Sequence, residues 1–163
     1  MRLVKKLSAS MILFGLAIVL MLLPQQSASS APPVRPQGVP EESVPAFHTE
    51  APQGALPSTM SADNFSDPVV QNAYTVAARL KKVLYQEPCY CHCDRSQGHG
   101  SLLDCFASKH GAGCDICVRE DLYSYEQTRK GKTAIQIREG IIRGDWQSMD
   151  ISKYQSPLPA KTR

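Results

Sequence analysis

Residues 1–88 contain no cysteine, which excludes lipid attachment through a Leu-x-Gly-Cys sequence behind the N-terminal segment. No internal repeat is present, and no succession of strands alternating with helices, so the βαβ pattern of a thioredoxin fold is absent. Basic residues are not clustered either. The formal net charge is +3, but Arg2, Lys5 and Lys6 supply three positive charges at the very start, and the other Lys and Arg residues are scattered along helical segments. Binding to nucleic acid draws on a concentrated basic surface that releases counterions, so no nucleic-acid partner is expected.

What the N-terminus does have is order of composition. Arg2, Lys5 and Lys6 precede an apolar run from Met11 to Leu23 and a small-residue stretch from Ser27 to Ala31. That succession is the pattern of a secretory signal peptide over residues 1–31. The run is shorter than the roughly 20 residues that span a hydrocarbon core, so cleavage is expected. An uncleaved anchor, the chain's one route to a membrane, requires Leu7 to Ser10 to be drawn in. The protein is expected to be exported, periplasmic or extracellular. Residues 32–66 carry Pro32, Pro33, Pro36, Pro40, Pro45, Pro52 and Pro57, too close together for helix or sheet, and read as a disordered linker in which Phe47 and His48 do nothing.

The composition turns at Asp67-Pro68, an N-cap residue with proline at the first helical position. Val69, Ala73, Val76, Ala77, Leu80, Val83 and Leu84 recur at helical spacing until Pro88, which pushes Glu87 out of helical geometry. A second, short helix is predicted from Ser101 and Asp104 in capping-box spacing, with Leu102, Leu103 and Phe106 apolar. A third begins near Cys114 or Asp115 and ends at Lys130-Gly131. A fourth begins at Thr133, with Gln136 three residues on, and ends at Gly144. Trp146 and Tyr154 are expected to fold back. The fold class is all-α: about four helices over residues 67–155, with an extended cysteine-rich segment between the first two and a flexible tail at 156–163. So small a core commonly needs disulfides or a metal.

The cysteines run Cys89-x-Cys91-x-Cys93, then Cys105, then Cys114-x-x-Cys117, with His92, His99 and His110 between them. In an extended segment alternate residues face one way, which gathers the sulfurs of Cys89, Cys91 and Cys93. A Cys-x-x-Cys at a helix start is a compact thiolate pair favoured by the helix dipole. Together these donors suit tetrahedral zinc or lower-coordinate copper(I), with His99 or His110 to complete or gate the site and His99 favoured as the further ligand. Three disulfides crossing between the segments are the ordinary outcome for an even cysteine count in an exported domain. Thiol–disulfide exchange at Cys114 and Cys117 is a third reading, and spacing leaves all three open. His110 reads as the partner of a helix C-terminus, and Asp104, Asp115, Glu120 and Asp121 as capping and dipole-compensating carboxylates.

The run Pro88-Cys89-Tyr90-Cys91-His92-Cys93 resembles the PCYCGC-motif family of small exported bacterial proteins and lipoproteins, whose biochemical role is not established. The resemblance continues through Gly98-His99-Gly100-Ser101-Leu102, Asp104-Cys105-Phe106 and Cys114-Asp115-Ile116-Cys117. His92 stands where that family usually has glycine. A second likeness, from Tyr125 through Gly131-Lys132-Thr133 to Glu139, is to the second half of the helical thiol reductases of cytochrome c maturation. The chain has none of their Leu-Arg-Cys sequence. The function these readings lead to is non-catalytic binding of copper(I) or zinc by Cys89, Cys91, Cys93, Cys105, Cys114, Cys117 and His99, for sequestration or for handover to a metal-accepting or redox partner protein.

Overall fold

A computed structural model describes residues 44–158, so the expected signal peptide and the first part of the expected linker lie outside the described residues. The described chain is helical, with no strand, as the sequence predicts. Its helices are α1 (Pro68–Arg79), α2 (Lys81–Leu84), α3 (Cys93–Gln97), α4 (Asp115–Arg129) and α5 (Ala134–Arg143), joined by short 3-10 turns. None of them is long and apolar enough to cross a membrane.

Asp67 caps α1 by accepting from Val69 N–H at 2.7 Å and Val70 N–H at 3.3 Å. The apolar stripe expected of this helix is buried through Val69, Ala73, Val76 and Ala77. The helix does not run on to Glu87. Leu80, at φ −109° and ψ 20°, interrupts it, and α2 restarts for one turn. At the other end of the domain the sequence signals hold. Thr133 and Gln136 form the capping box of α5, while Gly131 and Gly144 take positive φ after α4 and α5.

The core lies where α1, α4, α5 and the turns around residues 102–113 meet. Tyr74, Phe106, Leu84, Leu122, Ile137 and Ile141 are fully buried there. Tyr74 also fastens two turns, since its hydroxyl donates to Ser108 C=O at 2.6 Å and accepts from Ala112 N–H at 3.1 Å. Trp146 and Tyr154 fold back onto the helices and are buried, as expected.

Two segments expected to be unstructured are part of the fold. Residues 44–66 form a strap rather than a linker. His48 stacks on Tyr85 with ring centroids 3.8 Å apart, Met60 N–H donates to Phe106 C=O at 2.8 Å, and Phe65 packs on Tyr74. Arg138 of α5 holds the strap by lying 4.7 Å from the Phe47 ring while donating to Gln86 C=O at 3.1 Å. At the C-terminus Asn72 reaches from α1 to donate to Tyr154 C=O at 2.7 Å and Ser156 C=O at 2.9 Å. It also accepts from Leu158 N–H at 3.1 Å, so the expected tail is bound through residue 158.

Gly140 of α5 lies against Tyr123 of α4. Propensity alone says that alanine there favours the helix by about 1 kcal/mol. A Cβ at this position, however, collides with the Tyr123 hydroxyl and ring. Gly140→Ala is therefore expected to destabilise the domain by about 1–3 kcal/mol, the cost of overpacking. Thermal unfolding followed by circular dichroism reads the sign directly.

Candidate metal centre

The first helical stretch ends at Leu84, ahead of the predicted boundary at Glu87-Pro88, and the chain beyond Pro88 turns back instead of running extended. His92 N–H donates to Cys89 C=O at 3.1 Å, which closes the chain over Tyr90 and Cys91. His92 takes the left-handed conformation at φ 55°, the one non-glycine residue with positive φ among those described. Glycine reaches this region without steric cost, whereas a residue with a Cβ pays for it. The reversal at His92 then launches α3 with Cys93 at its start. Tyr90 N–H anchors the turn to α4 by donating to Glu120 Oε1 at 2.9 Å, and Leu102 N–H donates to Glu87 C=O at 2.9 Å.

Neighbouring turns bring in the remaining donors. The Cys93 carbonyl accepts from Gly98 N–H, and Gly98 has φ 68°, so the chain doubles back and returns His99 to Cys93. Cys105 lies in the 3-10 turn Leu102–Phe106. The expected capping bond of Ser101 is not made there; Asp104 instead accepts from Gly100 N–H at 2.7 Å. His110 opens the 3-10 turn His110–Gly113, and Gly111 lets that turn press on Cys105, because a Cβ would lie 3.0 Å from the Cys105 carbonyl oxygen. Cys117 comes from the first turn of α4, with Cys114 as its N-cap residue.

The sulfurs converge. Cys89 Sγ lies 3.3 Å from Cys91 Sγ and 3.4 Å from Cys117 Sγ, and Cys117 is 3.6 Å from Cys91. Cys93 Sγ is 3.3 Å from Cys105 Sγ, and His99 Nδ1 lies 3.1 Å and 3.4 Å from those two. His110 Nε2 is 3.8 Å from Cys91 Sγ. All six cysteines are free thiols. The contacts are far longer than the roughly 2.05 Å of a disulfide and close to the ~3.8 Å sulfur separation of a tetrahedral ion with ~2.3 Å bonds. Three sets of four donors each lie within 4.8 Å of one another: Cys89, Cys91, Cys93 and Cys105; Cys91, Cys105, His110 and Cys117; and Cys93, His99, Cys105 and His110.

Every cysteine named from the sequence is thus in or beside one cluster, although Cys114 falls outside these three sets and borders Cys117 and Cys91 from the rim. His99 is in it. His110, read from the sequence both as a helix-end partner and as a residue able to complete the site, belongs to two of the three sets. His92 points elsewhere and lies edge-on to Tyr90. Cys89, Cys93, Cys105 and Cys117 are buried, whereas Cys91, Cys114, His99 and His110 are half-buried and form the accessible side.

Hydrogen bonding divides the thiols into donors and acceptors. Bonds from Cys89 and His110 pull Cys91 down to about 4. Cys105 is held far below the ordinary thiol range by its bonds to Cys117 and Cys89, and those two partners are raised, each chiefly by its bond to Cys105. Two thiolates 3.4 Å apart repel by about 5 kcal/mol at an effective dielectric of 20, so complete ionisation needs a cation. Burial also shapes the border. Glu87 is fully buried, and so are Glu120 and Asp121, the two expected to cap. Neither oxygen of Glu87 or Asp121 has a hydrogen-bond partner among the described residues. Burial pushes Glu87 up to about 9 and Glu120 to about 8, and raises Asp121 well above its usual value.

Over residues 48–157 the chain matches the family described as proteins of unknown function with a PCYCGC motif, and it belongs to that family. The match takes in most of the strap and reaches the bound tail, consistent with both being parts of one folded unit. The left-handed backbone at His92 gives the physical reason for the glycine in the motif. No curated protein and no solved structure matches the chain.

Proposed function

We propose that this protein is exported and that its domain binds a thiolate-preferring metal ion, copper(I) or zinc(II), for sequestration or handover and without catalysis. The observation that carries this reading is the convergence of buried sulfurs and imidazole nitrogens at separations a metal ion fits. Soft sulfur donors select copper(I) and zinc over hard cations, and the two imidazoles suit the same ions. Handover is supported by the asymmetry of the site. Cys91, Cys114, His99 and His110 are reachable from solvent, so a donor atom of a metal-accepting partner can approach there while the buried cysteines retain the ion.

Thiol exchange at Cys114 and Cys117 has less support. Burial raises the Cys114 thiol, whereas an attacking cysteine needs a lowered value, and Cys117 is fully buried.

The test is to purify the mature protein without chelator in the absence of oxygen, then measure bound metal by mass spectrometry and free thiols after denaturation. At least one equivalent of copper or zinc is expected, with thiols that react with an alkylating reagent only after the metal is stripped. Absence of metal together with absence of titratable thiols would overturn the proposal in favour of a disulfide scaffold.

A further inference from the structure

We infer that the cluster holds two metal ions side by side, one in an all-sulfur site and one in a mixed sulfur–nitrogen site. This rests on the metal-binding reading and extends it. A tetrahedral ion takes four protein donors, and a three-coordinate copper(I) takes fewer. The six cysteines with His99 and His110 supply twice the larger number.

Within the cluster the short distances outline two triangles, which touch through the bonds of Cys105 to Cys89 and Cys117. Cys89, Cys91 and Cys117 form one, with edges of 3.3, 3.4 and 3.6 Å. Cys93, Cys105 and His99 form the other, with edges of 3.3, 3.1 and 3.4 Å. An equilateral triangle of such edges has a radius of about 2 Å, less than the ~2.3 Å of a zinc–sulfur bond. An ion bound to three corners therefore stands out of their plane and leaves a fourth position open. For the first triangle Cys114 is at hand, its thiol bordering Cys117 and Cys91. For the second the fourth donor is His110, which is within 4.8 Å of all three corners.

The sites adjoin, because Cys89, Cys91, Cys93 and Cys105 all lie within 4.8 Å of one another.

Cobalt(II) is the probe, because it takes zinc geometries and its thiolate charge-transfer absorption grows with the number of sulfur ligands. The reduced, metal-free full chain is titrated anaerobically with cobalt(II), and the bound ions are counted by native mass spectrometry. The wild-type protein is expected to saturate at two equivalents. The His99→Ala/His110→Ala variant should saturate at one and keep the stronger charge-transfer band. The Cys89→Ser/Cys91→Ser variant should also take one, with a band about half as intense, as befits two sulfur ligands in place of four. Circular dichroism verifies that each variant is folded, and the wild-type count needs no variant. Wild-type saturation at one equivalent overturns the two-ion assignment and leaves the metal-binding reading standing. Two equivalents in the wild type with loss of both, or of neither, in the histidine variant also overturns the assignment. No cobalt or zinc bound, and no copper(I), overturns the metal-binding reading itself.

Discussion

Cys105→Ser is expected to weaken metal retention by about a hundredfold or more while the metal-free domain remains folded. Cys105 is the one residue common to all three sets of four converging donors, and it is fully buried. Structural zinc sites are worth about 10–16 kcal/mol over four ligands, so each contributes about 3 kcal/mol, or about a hundredfold in affinity. Serine keeps the size and a hydrogen-bonding group but removes the soft anionic donor. Competition against a chelator of known affinity gives the loss, and far-UV circular dichroism of the stripped protein reports on the fold. His92→Gly is the informative control, being in the same motif but outside the donor sets. It should leave metal affinity unchanged and keep stability within about 1 kcal/mol, since relief of the left-handed strain offsets the entropy of glycine. With two adjoining ions the loss falls on the one held by Cys93, Cys105, His99 and His110, and wild-type retention of every bound ion by Cys105→Ser would mean that the metal is held without Cys105.

The second large effect concerns Glu87. Its carboxyl is fully buried and raised to about 9, against an ordinary value near 4.5. Between those values the folded state holds a proton that the unfolded state has lost, so this group's stabilising contribution is complete below about pH 4.5. It declines as pH rises toward the folded value. Glu87→Gln removes the decline while retaining the shape. The variant should match the wild type near pH 4.5 and exceed it by a margin growing about 1.4 kcal/mol per pH unit, reaching about 3 kcal/mol at pH 7. Chemical denaturation of the metal-free, reduced proteins at several pH values measures that margin. The comparison has to be between the two proteins, because the lowered thiols of Cys91 and Cys105 push stability the opposite way with pH. Asp121→Asn should show the same sign. A margin independent of pH would show that Glu87 is ionised in the folded protein.

The elements that the sequence announces are those whose signal is local. Asp67-Pro68, Thr133 with Gln136, Gly131 and Gly144 each act within a turn of themselves, and each does in the structure what its chemistry predicts. The strap escapes such reading because proline-rich composition speaks only against regular structure. An irregular chain is held by single contacts, such as the stacking of His48 on Tyr85, that leave no periodicity behind. The short turns at 102–106 and 110–113 are set by packing under Tyr74, which is likewise non-local.

The site was legible as a set of sulfurs and not as a geometry. Alternation in an extended segment suggested how three thiols could gather, but a turn through His92 does it, and His110 arrives by a return of the chain that spacing does not encode. One missed signal was present. Cys117, Glu120, Asp121, Ser124 and Gln127 recur at helical spacing, so a face with carboxylates belongs to the interior of α4 along with Cys117.

If the proposed ion binds, the contact of the sulfurs has a final consequence, which is selectivity by size. Cys89, Cys93, Cys105 and Cys117 are buried, and the Cys89–Cys117 and Cys93–Cys105 separations of 3.4 and 3.3 Å are slightly shorter than the ~3.8 Å between sulfurs on a tetrahedral zinc ion. Small soft ions need the turns to part by only a few tenths of an ångström. Larger soft ions, with longer bonds to sulfur, must force apart a close-packed interior that resists expansion. Under the proposed metal binding, the same turns that collect the thiols would act as a gauge, discriminating among ions of like chemistry by radius.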